Sequence, residues 1–121
     1  MSSSTEPKSG ARMLLMLART GFLVSFLLGL GGLFGFYLYG GAVLWIHIVF
    51  GLLFLVPAWM LPGTARRAGF VRAGAALGTL GAILAAVGAL WAPGLPVALH
   101  IVCMIAAIAL IEMGSGRAQR A

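Results

Sequence analysis

Four long apolar runs, parted by short breakers, organise the chain: residues 20–39, 42–61, 73–92 and 95–113. Each has about the 20 residues that a helix needs to cross the roughly 30 Å hydrocarbon core of a bilayer. Gly40-Gly41 separates the first run from the second, Pro62-Gly63 stops the second, and Pro93-Gly94 parts the third from the fourth. These are the residues that end helices. The pattern predicts an all-α fold, a bundle of four transmembrane helices. Residues 1–19 read as a polar, interfacial N-terminal tail, 20–113 as the membrane domain, and 114–121 as a cytoplasmic tail. The N-terminus partly resembles a signal peptide, but no A-x-A-like site follows a short apolar core. It reads as an uncleaved first helix behind a disordered polar tail.

The chain also repeats itself. A slide of 53 residues, the spacing from His47 to His100, lays residues 19–67 on 72–120. Arg19 then meets Arg72, Gly21 meets Gly74, Leu27 meets Leu80, Gly35 meets Gly88 and Gly41 meets Gly94. His47-Ile48-Val49 meets His100-Ile101-Val102, Met60 meets Met113, and Gly63, Ala65 and Arg67 meet Gly116, Ala118 and Arg120. Each copy holds two helices, so both copies run the same way. Parallel repeats of this kind are related by a pseudo-two-fold axis along the membrane normal. The expected bundle is therefore two similar hairpins side by side.

Composition removes the soluble alternative. Apolar residues make up 62% of the 121-residue chain and charged ones 8%, against roughly 45–50% and 25% in soluble domains. So small a soluble fold has too much surface to hide that load. The net charge of +6 raises nucleic acid as a partner. The cations, however, sit at the edges of apolar runs and form no basic helix face to follow phosphates. No nucleic-acid partner is expected; membrane lipid is.

Charge placement predicts the topology. Lys8, Arg12 and Arg19 precede the first run, Arg66, Arg67 and Arg72 lie between the second and third, and Arg117 and Arg120 follow the fourth. The other two connections carry no cation. By the positive-inside rule both termini are cytoplasmic, in a multi-pass protein of the bacterial inner membrane. Tyr37, Tyr39, Trp45 and Trp91 gather near the outer face and Trp59 near the inner one, as interfacial aromatic belts do.

The two histidines are the chemistry in this sequence. His47 and His100 each lie about 7–8 Å below the outer end of a helix, counted at 1.5 Å per residue. Ionisable residues inside a membrane are costly and mark function by default. No carboxylate lies near either one. A ligand shared by two neutral imidazoles would satisfy both. Two ligands are too few for a closed zinc site, and they are the number that the axial positions of a haem require. Gly35 and Gly88 lie near histidine depth on the first and third helices, where glycine gives a flat macrocycle clearance. The N-termini of the second and fourth helices suit the propionates, with Tyr37 or Tyr39 as a further donor.

The segment WIHIVFG, from Trp45 to Gly51, resembles the His-x-x-x-Gly helices of small four-helix membrane-bound b-type cytochromes. That resemblance implies one haem b between His47 and His100 as axial ligands to the haem iron. It also implies electron exchange with a quinol or a periplasmic redox partner such as a cytochrome, within a larger membrane redox complex. On this reading the chain is an electron-transfer subunit rather than a stand-alone enzyme. The chain departs from di-haem relatives. Met60 or Leu61, and Met113 or Gly114, stand where a second histidine would be, and Met104 replaces the glycine of the second copy. One haem near the outer face is expected, with Met60 and Met113 as packing residues.

Other readings stay open. A bacteriochlorophyll takes one axial histidine, though Val43 and Pro96 stand where light-harvesting helices favour alanine. The bundle alone, as a cofactor-free accessory or assembly subunit, needs no chromophore. With Glu6 and Glu112 as the only acidic residues, paired-carboxylate catalysis is excluded. No seryl triad or phosphate loop can be assembled. Most glycines of the first and third helices read as close-packing positions. Arg19 and Arg72 read as interfacial anchors, Glu112 as the partner of an inner arginine, and Pro57 as the one candidate kink. Cys103 reads as a small buried hydrophobe.

Overall fold

A computed structural model describes residues 5–35, 41–65, 67–91 and 94–120, with side chains from 10 to 115. Tyr37, Tyr39 and Arg66 lie outside the described residues. Helix α1 runs Thr5–Leu33, α2 Gly41–Met60, α3 Ala68–Leu90 and α4 Leu95–Arg120, with a single 3-10 turn at Leu61–Gly63. The helices stop where the chemistry requires. Gly35 ends α1 in the left-handed region, φ +78°, which residues with a side chain adopt only at a cost. After α2, the Thr64 hydroxyl donates to the Leu61 carbonyl at 2.9 Å, satisfying an acceptor that the helix end leaves open.

All four helices are long and apolar enough to cross a membrane, over Gly10–Leu33, Gly41–Gly63, Ala68–Leu90 and Leu95–Ser115. In none is more than 28% of the most apolar stretch buried against protein. The remaining apolar surface faces outward on every helix, and lipid must cover it. This is a multi-pass membrane protein. Trp45 and Trp91 are exposed at the end that carries the short connections, and Trp59 at the opposite, cation-bearing end.

Neighbouring helices run α1–α2, α2–α3, α3–α4 and α4–α1, which leaves α2 and α4 diagonal. The tight contacts lie within each hairpin, where matched glycines bring backbones together. A Cβ on Gly21 would lie 2.5 Å from the Phe54 backbone nitrogen, and one on Gly74 would lie 2.7 Å from the Ala107 carbonyl oxygen. The two hairpins are nevertheless not superimposable copies. Gly21 faces Phe50 to Phe54, whereas Gly74 faces Ala107 to Ile111. In the repeat, Gly74 should face residues 103–107. Within the second hairpin α4 is therefore shifted along α3 by four residues, about 6 Å or one helical turn, relative to α2 along α1. Consistently, α3 continues to Leu90, one turn past the point where the repeat would place the end of α1, and its connection is shorter.

The first helix differs from the expected 20–39. It begins at Thr5, and Ala11, Leu15 and Ala18 are buried. Residues 5–19 are thus not a disordered tail. Arg19, which marked the membrane edge in the sequence, lies within this helix and makes a bidentate pair with Glu112 of α4, Nη2 to Oε2 at 2.7 Å. The C-terminal segment likewise continues α4, with Gly114 and Ser115 buried.

The core occupies one end of the bundle. Leu15, Ala18, Phe54, Ala58, Leu61, Val71, Ala75, Ala107 and Ile111 form it, all near the cation-bearing end. Phe22 extends it with an edge-on contact to Phe54, ring centroids 5.5 Å apart. The other half is different. Beyond Ser25 on α1, before Phe54 on α2, beyond Gly81 on α3 and before Ala107 on α4, Gly88 is the only described residue that is buried. In this half the helices bury little surface against one another.

Candidate functional site

The histidines sit in that sparsely buried half. His47 lies on the second turn of α2 and His100 on the second turn of α4. These are the diagonal helices, so the two side chains meet across the bundle axis. Their ring centroids are 6.4 Å apart and the ring planes cross at 71°. The one-turn shift of α4 along α3 does not separate them.

Each imidazole is tied to the helix before it in its own hairpin. His47 Nδ1 lies 2.8 Å from the Ser25 carbonyl oxygen and 3.0 Å from Ser25 Oγ. The Ser25 hydroxyl donates its own proton to the His47 carbonyl, at 3.0 Å. His100 Nδ1 lies 2.8 Å from the Gly81 carbonyl oxygen. A carbonyl only accepts, so Nδ1 carries the hydrogen in both rings. In a neutral imidazole that leaves the lone pair on Nε2, the nitrogen a metal takes. A backbone carbonyl behind Nδ1 is also the usual outer-shell partner of a metal-binding histidine, fixing tautomer and ring orientation.

Two metal–nitrogen bonds of about 2 Å and two ring radii of about 1.2 Å would put about 6.4 Å between opposed imidazoles. Among the described residues, no group of three or more His, Cys, Asp and Glu comes together. A metal held by these two rings would need further donors of its own, such as a porphyrin supplies.

The expected site residues divide. His47 and His100 come together. Gly35 and Gly88 do not join them. Gly35 terminates α1, and a Cβ there would touch nothing, whereas one on Gly88 would press on Val97 and Pro96 of α4. The glycine beside an imidazole is Gly29, where a Cβ would lie 3.3 Å from His47 Cε1. The α1 backbone thus passes close over that ring. Met60 and Met113 are exposed near the cation-bearing end, away from the histidines.

Ser25, Gly29 and Gly81 did not emerge as site residues from the sequence. Ser25 carried a signal, being a hydroxyl within an apolar run and 22 residues before a histidine. Gly81 carried none, because it contributes only a carbonyl. No family model, no curated protein and no solved structure matches this chain.

Proposed function

We propose that this chain is a b-type cytochrome subunit that holds one haem b between His47 and His100 and passes electrons. The observation that carries the reading is the meeting of the two histidines across the bundle, 6.4 Å apart, each backed by a carbonyl on Nδ1. Bound there, the haem would supply one-electron redox chemistry, tuned by its axial ligands and its burial. The chain's own residues do the rest. The imidazoles hold the iron through Nε2. The carbonyls of Ser25 and Gly81 orient the rings and raise their basicity. The apolar walls of the four helices keep water from the centre.

One-sided charge orients the protein. With Lys8, Arg12, Arg67, Arg72, Arg117 and Arg120 on the cytoplasmic side, the histidines lie toward the outer face of a bacterial inner membrane. The partner is then a quinol in the outer leaflet or a periplasmic redox protein, and the chain works as one subunit of a membrane redox complex.

A reduced-minus-oxidised difference spectrum of the purified protein tests this. Bands in the b-type α and Soret regions are expected, and both disappear in the His47→Ala, His100→Ala double variant. A colourless protein, or one that absorbs only in the far red, refutes the haem reading.

A further inference from the structure

The repeat makes His47 and His100 formal equivalents, yet the fold holds them unequally. His47 has two acceptors on Nδ1, both from Ser25, and the Ser25 hydroxyl returns a hydrogen bond to the His47 backbone. Ser25 is only 8% exposed, so water competes little for these bonds. The ring also lies against the α1 backbone at Gly29. His100 has one such bond among the described residues, to the Gly81 carbonyl. At the repeat position of Ser25 stands Gly78, which has no hydroxyl to offer and faces Leu55, Phe54 and Ala107. Gly81 itself faces Cys103 and Met104. The shift of α4 along α3 within the second hairpin makes this difference: it brings another residue of α3 behind His100.

We infer that His47 is the anchored ligand of the pair and His100 the exchangeable one, with Ser25 as the residue that positions His47. This rests on the haem reading. A ring held at two acceptors and a helix backbone keeps its orientation when the opposite bond breaks. A ring held at a single acceptor can swing about it. The ligand class that would enter on the His100 side is a small neutral donor, an imidazole or a diatomic gas.

Cavity variants of the full-length protein test it. His100→Gly is expected to retain haem at the wild-type ratio, and free imidazole then restores the six-coordinate low-spin spectrum. His47→Gly is expected to lose haem, and imidazole does not restore it. Ser25→Ala is expected to speed haem loss roughly fivefold for each hydrogen bond removed, while a substitution at Cys103 does not. Equal behaviour of the two glycine variants, or the reverse order, overturns the inference and leaves the haem reading standing. A wild-type protein that binds no haem overturns the haem reading instead. The inequality is then decided on the haem-free chain by NMR. The His47 Nδ1 proton should exchange with solvent roughly fivefold more slowly than that of His100, and equal or faster exchange overturns the inference.

Discussion

Gly21→Ala is the sharpest test of how the bundle holds its site. The added methyl would lie 2.5 Å from the Phe54 nitrogen, 2.6 Å from the Phe50 oxygen and 2.7 Å from the Leu53 carbonyl carbon. All three are backbone atoms, so no side chain can turn aside. Ordinary contact needs about 1 Å more, and α1 must move away from α2 by that amount at a cost of about 1–3 kcal/mol for overpacking. Ser25 is one turn further along α1. The same shift stretches its bonds to His47 from 2.8 and 3.0 Å past the hydrogen-bonding limit, adding about 0.5–1.5 kcal/mol for each bond lost. The total expected loss is about 2–6 kcal/mol. Gly10→Ala is the control, because a Cβ there meets nothing. It should be neutral or stabilise by up to about 1 kcal/mol through helix propensity. Denaturant unfolding in detergent micelles, followed by circular dichroism, compares the two. If Gly21→Ala is no less stable than Gly10→Ala, the backbone-to-backbone contact does not exist as described and the argument fails.

Two further predictions concern the cation-bearing end. Ser115 is buried, and its hydroxyl has no partner among the described residues, so Ser115→Ala should be neutral or raise stability by about 1 kcal/mol in the same assay; a loss would mean that the hydroxyl is bonded. Arg19 and Glu112 join α1 to α4 while partly exposed, so a double-mutant cycle with Arg19→Gln and Glu112→Gln should return a coupling of about 1 kcal/mol or less, and zero coupling would remove the pair as a link between hairpins.

Much of this protein was legible along the chain. Apolar length alone determined four spanning helices, because lipid admits only elements that satisfy their own backbone. The repeat announced two hairpins, and with them that the two histidines would stand at matching depth. Both follow from local pattern and need no knowledge of contacts. The start of α1 was not legible. Arg19 looks like a boundary, and its partner Glu112, 93 residues away, is out of reach of local pattern. The core's confinement to one end of the bundle also escaped a one-dimensional reading, since apolar residues fill both ends equally and only packing separates those facing protein from those facing lipid.

The site divides along the same line. Composition and periodicity singled out His47 and His100, because a titratable side chain in an apolar run is conspicuous. Their approach to 6.4 Å depended on α2 and α4 being diagonal, a matter of how two hairpins dock. The glycines show the limit plainly: Gly35 and Gly88 were counted to histidine depth, yet α1 ends before Gly35 and Gly88 packs on Pro96 and Val97, so Gly29 is the glycine against the ring. The acceptors behind Nδ1 were decided by tertiary structure alone. A carbonyl belongs to every residue, and only the helix register within each hairpin, shifted by one turn in the second, selects Ser25 for one histidine and Gly81 for the other.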